Sequence, residues 1–327
     1  MSTYSFVEEH PHEAGFSEVY DTKIAPFFRD MDAKREEARE RHRRQTLVVG
    51  GTTLMVALIV ATKVHPLACI YVLFFGGAFT AVTYFRSSVA NLNALQTFLR
   101  PLLCKFMGDM TFHKTPPTPF VPVQRLQQLG VVPRAQKEHI GFGVEGTWRD
   151  EHYRLVTAHF YERNTNDNPG QSRNRTLFNG IILEVDCPVN MPLTVFARDF
   201  GKTFNGFYKW AGRKHMPDHK LDLEDEKLEA IFEVYTDNPE TARDHIGARF
   251  ADTLVQIAEQ FQTHKSYLSA AFEGRKFYIA LTWPQAFMGL DFGDKPFAES
   301  NGLLRNAMLD LRVPRDIIDM LHGADTA

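Results

Sequence analysis

Cys187 follows Asp186 at the end of an apolar stretch, and it is the side chain best suited to covalent chemistry. A cysteine nucleophile needs a base within reach and a depressed pKa. His139, His152 and His159 fall in the same region and are the candidate bases. The alternative is a small thiol buried as a hydrophobe. Gly141, Gly143 and Gly146 spell a literal GxGxxG. A dinucleotide loop of that form follows a buried strand and opens a helix. This one follows a polar stretch and runs into Thr147–Trp148, so it reads as a glycine-rich strand entry. His215 and His219, with Asp218 between them, have the types of a metal site. Pro217 interrupts the helix that would bring both imidazoles to one face, and no third ligand is set by spacing. The segment reads as a solvated loop. No serine elbow, phosphate loop or paired-carboxylate motif occurs. The reading therefore assigns no catalytic, cofactor-binding or metal-ligating residue and no cofactor.

Composition narrows the class. The chain has 327 residues, room for roughly two folded units of ordinary size. Lys plus Arg is 37 against 40 Asp plus Glu, a net charge of −3, which argues against a nucleic-acid partner. The three cysteines, Cys69, Cys104 and Cys187, are too few and scattered for a disulfide framework or a zinc cage.

Two uncharged runs dominate the N-terminal third. Thr46–Thr62 and Leu67–Phe85 contain no charged residue, and only Lys63, Val64, His65 and Pro66 separate them. As helices they reach about 25–28 Å, near the hydrocarbon thickness of a bilayer. The expectation is a two-helix transmembrane hairpin, with the lipid bilayer as the chain's first partner. A signal peptide would place its apolar core nearer the start. Gly50, Gly51, Gly76 and Gly77 either let the helices approach closely or reflect the frequency of glycine in membrane helices. Flanking charge sets the orientation. Arg43 and Arg44 precede the first run, Lys63 sits in the turn and Arg86 follows the second. These membrane-flanking charges put both termini on the cytoplasmic side. The segment KREEARERHRR (Lys34–Arg44) reads as a solvated helix entering the membrane, its arginines setting topology or meeting lipid headgroups.

The remainder divides by pattern. Residues 1–45 form a helical preface, 46–85 the hairpin, 86–138 a helical stalk with a Pro-rich linker, and 139–327 the main domain. Leu95, Leu99 and Leu103 belong to an apolar stripe that predicts a helix over 86–113. TPPTPFVPV (Thr115–Val123) breaks it. Phe142–Trp148 and Tyr153–Tyr161 read as a hairpin, and Asn164–Asn174 as a loop. Leu177–Asp186 and Leu193–Ala197 read as two strands parted by Pro188 and Pro192. Ile231–Tyr235 is a further strand. Asp237 caps a predicted helix with Pro239 in its first turn, and Ile246, Phe250, Leu254, Ile257 and Phe261 form its apolar stripe. Tyr267–Phe272 and Lys276–Leu281 read as a hairpin turning at Gly274. Glu299–Leu311 and Pro314–Leu321 read as two helical pieces. The order predicts an α+β class, an antiparallel sheet with one main packed helix.

Several of these segments carry a resemblance. LFNGIILEVDCP (Leu177–Pro188), KLDLEDEKLEAIFEVYTDNPETAR (Lys220–Arg243) and FEGRKFYIAL (Phe272–Leu281) resemble the bacterial family called domain of unknown function 3137. Phe178 and Gly180, Leu223–Asp225, Phe232–Asp237, Glu240–Arg243 and Lys276–Ala280 match its pattern. Leu228–Ile231, His245–Ile246 and a polar insertion at Thr203–His219 depart from it. The resemblance implies a bacterial inner-membrane protein with a cytoplasmic domain and no assigned chemistry. Occurrence of the family beside small LemA-type membrane proteins implies a membrane-protein partner. The expected function is a membrane-anchored interaction module that binds a protein or membrane component. The alternatives are an enzyme with an unrecognised site or a lipid-binding domain.

Overall fold

The computed structural model describes residues 4–63, 70, 71, 74, 94–108, 110–163, 174–198, 217–223, 225–246, 248–260, 268–283, 285–292 and 296–322. The chain divides into two compact units, Met1–Leu102 with Leu290–Asn306, and Leu103–Gly289 with Ala307–Ala327.

In the first unit, α1 (Phe16–Val19), a π-helical turn (Tyr20–Ile24) and α2 (Ala25–Lys63) run on without a break. Phe16, Tyr20, Ile24 and Phe28 recur every four residues and are all fully buried. In a uniform α-helix such a row drifts by about 40° per step. The wider π turn winds less per residue and keeps the row on one side. Phe28 stacks on Phe297 with ring centroids 4.9 Å apart, and Phe27 on Phe98 at 4.1 Å. The N-terminal arm is tied by polar contacts. Arg305 Nε donates to Glu13 Oε1 at 2.6 Å, and Glu13 Oε2 accepts the Glu9 N–H at 2.7 Å. Asn301 and Arg305 donate to the carbonyls of Ser5 and Val7.

The first apolar run forms the second half of α2. Among the described residues, nothing lies within 4 Å of a Cβ placed at Gly50 or Gly51. Among the described residues, no helix is long and apolar enough to cross a membrane. The run Thr46–Thr62 of α2 holds 17 residues, at the short end for a span. The expected two-span hairpin is therefore not established. Apart from Ile70, Tyr71 and Phe74, its second run lies outside the described residues.

A helix over residues 94–106 (α3) buries Leu95, Leu99 and Leu103 on one stripe, as the spacing predicts. It stops short of residue 113. β1 (Thr111–His113) instead forms the edge of a seven-stranded antiparallel sheet in the second unit. The Pro-rich stretch is packed, with Phe120 and Val121 buried, and leads into α4 (Val123–Gln128). β2 (Lys137–Trp148) and β3 (Glu151–Arg163) form the expected hairpin. Its turn residues Arg149 and Asp150 both have positive φ, 50° and 68°. Two such residues match the right-handed twist of the flanking strands.

The two strands expected over 177–197 are one, β4 (Asn174–Arg198). Pro188 and Pro192 sit where its pairing is irregular, between Asp186 and Thr194, so neither removes a regular ladder bond. The hairpin expected at Gly274 is likewise a single strand, β7 (Leu268–Thr282), paired along β4. Gly274, at φ 63°, stands opposite Met191 and bends β7 where β4 bends. β3 takes the other edge of β4 in its first half. β6 (Phe232–Thr236) takes it in the second half, with β5 (His219–Leu221) outermost.

α5 (Glu226–Ile231) is capped by Asp225, whose carboxylate accepts the Lys227 and Leu228 N–H groups at 3.0 Å. The helix expected from Asp237 is two, α6 (Pro239–His245) and α7 (Ala248–Gln260). Its cap is Asn238, which accepts the Thr241 N–H at 3.1 Å, one residue later than the sequence suggests. Ile246, Leu254 and Ile257 are buried as the stripe predicts. The two C-terminal pieces are one helix, α8 (Asn301–Leu321), with Pro314 inside it. On one face of the sheet, Val156, Ala158, Phe160, Phe178, Ile182 and Ala280 pack under Leu126, Leu129, Val131 and Val132.

Candidate functional site

The glycine-rich motif lies within β2, as a strand rather than a loop that opens a helix. Its glycines make room for neighbouring side chains. A Cβ at Gly143 would meet the Phe120 ring at 2.9 Å, and one at Gly146 the Tyr153 hydroxyl at 2.6 Å. The β2–β3 register also shifts between Ile140 and Gly143. Packing accounts for the motif without a nucleotide.

Cys187 is buried, and burial foremost pushes its thiol up to about 12, the opposite of activation. It borders a small apolar cavity of about 50 Å³ with Met191, Phe250, Phe272 and the side chain of His245. The expected bases are elsewhere. His152 approaches Glu145 at 3.8 Å, and His159 contacts the Thr176 hydroxyl at 3.2 Å. His245, which the sequence did not single out, has its Nδ1 2.9 Å from the Thr241 carbonyl. His219 is on β5, while His215 lies outside the described residues. Among the described residues, no group of three His, Cys, Asp or Glu side chains is placed to hold a metal ion.

What the sheet assembles is a ladder of charge. Strand pairing sets Glu145 opposite Arg154, Arg154 opposite Glu184, and Asp186 opposite Lys276. Arg154 reaches Glu145 at 3.6 Å and Glu184 at 3.8 Å. Lys276 donates to Glu184 at 3.0 Å and to Asp186. At the other end His113 Nε2 lies 2.7 Å from Glu145 Oε1. One row of side chains thus links β1, β2, β3, β4 and β7. Burial works against the Lys276 charge, but the hydrogen bonds and charges of Asp186 and Glu184 outweigh it and raise its pKa. Glu184 is buried, and losing a partner there costs more than at an exposed pair. Beside the row, Arg125 on α4 makes a two-pronged pair with Glu273 on β7, at 2.6 and 3.0 Å. The ladder is not legible in the sequence. Its signal is opposite charge at matching positions, visible only once register is known.

Of the topology charges, Arg43 and Arg44 are exposed on α2, and Arg44 stands 3.9 Å from Glu40. Lys63 is the last residue of α2, and Arg86 lies outside the described residues.

Fold and site together define an α+β domain that carries a paired charge ladder across its sheet and buries Cys187. Residues 176–322 match the model of a family described as "Protein of unknown function (DUF3137)", the family that the sequence resembles. No curated protein matches the chain. Among solved structures it is similar to a mycobacterial protein, the trehalose monomycolate transport factor A, TtfA, at 13% identity. That likeness covers 66% of this chain and 93% of the other, with a TM-score of 0.27, too low to carry anything further.

Proposed function

We propose that the chain is a membrane-tethered interaction module. In this reading residues 46–62 and 67–85 insert as a hairpin, and the α+β domain is held on the cytoplasmic side of a bacterial inner membrane. The observation that carries it is the surface of α2 beyond its charged half. Leu47, Val48, Leu54, Met55, Val56, Leu58 and Ile59 are all exposed. At 100° per residue they sweep about 200° of the helix. Leaving them in water would forgo roughly 10 kcal/mol or more, comparable to the whole stability of a domain. A single partner helix covers a narrower seam, whereas lipid covers any arc. Val49, Thr53 and Ala57 make the complementary stripe and are half-buried or buried, the side suited to the second run. The shortness of the first run is met by local thinning and by flanking arginines reaching to the interface.

The ligand of the domain is a protein or membrane component in this reading. Tethering raises its effective concentration at the inner leaflet. The thiol-enzyme alternative is disfavoured by the buried, pKa-raised Cys187. The Cys187 cavity falls far below the roughly 300 Å³ of typical ligand pockets.

The test is fractionation of detergent-free lysate containing the full chain, followed by an alkaline carbonate wash. The chain is expected to stay in the membrane pellet, and a Leu54→Arg, Leu58→Arg variant to move into the wash. Recovery of the unaltered chain in the first supernatant would overturn the anchor. A cysteine introduced at either terminus is expected to react with an impermeant maleimide only after the cells are opened. Labelling in intact cells would overturn the sidedness.

A further inference from the structure

Just before the apolar stretch of α2, four arginines occur in six residues: Arg39, Arg41, Arg43 and Arg44. All four are exposed. With Glu40 among them and His42 neutral, the segment carries a net charge of +3. Resting on the membrane-anchor reading above, we propose that these arginines form a collar that binds the headgroups of anionic phospholipids.

Three observations carry the assignment. The first is distribution. At 100° per residue, Arg39 and Arg43 fall on one side of the helix and Arg41 and Arg44 on the other. A helix lying flat on a membrane would gather its cations along one face. Cations on opposite sides suit a helix that passes through the headgroup layer and meets lipids all round. The second is depth. The collar spans about 7.5 Å of helix rise, close to the 5–8 Å of one headgroup layer, and ends two residues before Thr46. The third is availability. Arg39 stands 3.8 Å from Glu36, and Arg44 stands 3.9 Å from Glu40; both are exposed pairs within one helical turn. Such pairs are weak. A phosphate offers the guanidinium two parallel hydrogen bonds and a stronger charge-assisted contact. Arg35, one turn earlier, is placed otherwise, with its guanidinium carbon 3.8 Å from the centroid of the Phe297 ring.

The full chain, reconstituted into phosphatidylcholine vesicles, tests this with trace spin-labelled phosphatidylglycerol or spin-labelled phosphatidylcholine. The fraction of label restricted by the protein gives the selectivity. Phosphatidylglycerol is expected to be favoured about two- to fourfold at 50 mM salt, and 500 mM salt to bring the ratio near one. A variant with Arg39, Arg41, Arg43 and Arg44 all changed to Gln is expected to lose the preference while still floating with the vesicles. A Glu36→Gln, Glu40→Gln variant is expected to raise it. An unaltered ratio in the four-glutamine variant, or no preference in the unaltered chain, overturns the collar and leaves the anchor standing. Failure of the unaltered chain to float with vesicles overturns both.

Discussion

Gly180 pairs with Thr282 where β4 and β7 run side by side. A Cβ at this position would overlap the Leu281 carbonyl oxygen and lie 2.8 Å from both the Leu281 carbonyl carbon and the Thr282 Cα. Those atoms are backbone, so no rotamer change relieves the contact. Gly180→Ala therefore forces the two strands apart by about 1 Å, which carries neighbouring ladder bonds beyond hydrogen-bonding range. Overpacking of this kind costs about 1–3 kcal/mol, and each weakened buried bond adds about 1 kcal/mol. The sum, roughly 3–5 kcal/mol, is a large share of a domain's stability. At 2–4 °C per kcal/mol for a unit of this size, the melting point should fall by about 10 °C. Gly302 is the control. It lies early in α8 with nothing within 4 Å of its would-be Cβ. Gly302→Ala should leave stability unchanged or raise it by up to about 1 kcal/mol. The assay is thermal unfolding of the full chain in detergent, followed by tryptophan fluorescence, since Trp148 and Trp283 both lie in the second unit. A Gly180→Ala melting point within 2 °C of the unaltered chain would refute the close pairing of β4 with β7 at this position.

Other perturbations follow from single buried groups. Burial pushes Asp310 up to about 7 against the opposing effect of the Met288 N–H, which donates to it at 2.6 Å. A folded pKa above the unfolded one means that Asp310's contribution is fullest below about pH 4 and is lost as pH rises toward 7. Asp310→Asn keeps an acceptor, so it should stabilise the chain at pH 8 and do little at pH 4. Equal effects at both pH values in denaturant titrations would contradict this. Arg305→Ala strands the buried Glu13 carboxylate and should cost about 3–5 kcal/mol, releasing the N-terminal arm to limited proteolysis, while Glu13→Gln should be milder. Burial opposes the Glu13 charge, but hydrogen bonds from Arg305 and the Glu9 N–H outweigh it and lower its pKa. Stability from Glu13 is therefore present above the unfolded carboxylate pKa and lost as pH falls through the folded one, as acid titration of unfolding should register. Burial pushes the Cys187 thiol up and so keeps it protonated at pH 8. Mass spectrometry should find it unalkylated in the folded chain and labelled after unfolding; rapid native labelling would contradict its burial.

Elements are legible in the sequence where their cause is local. Apolar residues of Tyr153–Tyr161 mark β3, though Leu155 and Val156 are both buried, so core lies on both of its faces there. The four-residue steps of Leu95, Leu99 and Leu103 follow from helical geometry. All three failures of continuity occurred at residues with a strong local preference. Proline and glycine signal breaks, yet β4 passes Pro188 and Pro192 and β7 passes Gly274 because the two irregularities face each other. Pro314 likewise gives up one hydrogen bond inside α8, a loss that packing of Leu311, Ile317 and Ile318 offsets. The cap at Asn238 rather than Asp237 is a one-residue choice between two competent side chains, decided by which aspartate-like oxygen reaches the Thr241 N–H.

By itself the amino-acid order determined the charge balance, the uncharged stretch of α2, the arginines that precede it, and most turn and helix positions. These depend on neighbours within about four residues. Only the tertiary structure decided that Cys187 is buried, that the GxGxxG glycines admit Phe120 and Tyr153, and that a ladder runs from His113 to Lys276. Most of these depend on groups brought together from far along the chain, as when Lys276 meets Asp186 across 90 residues. The turn at Arg149–Asp150 sets register locally between β2 and β3, but register between strands far apart in the chain is a collective outcome of side-chain packing.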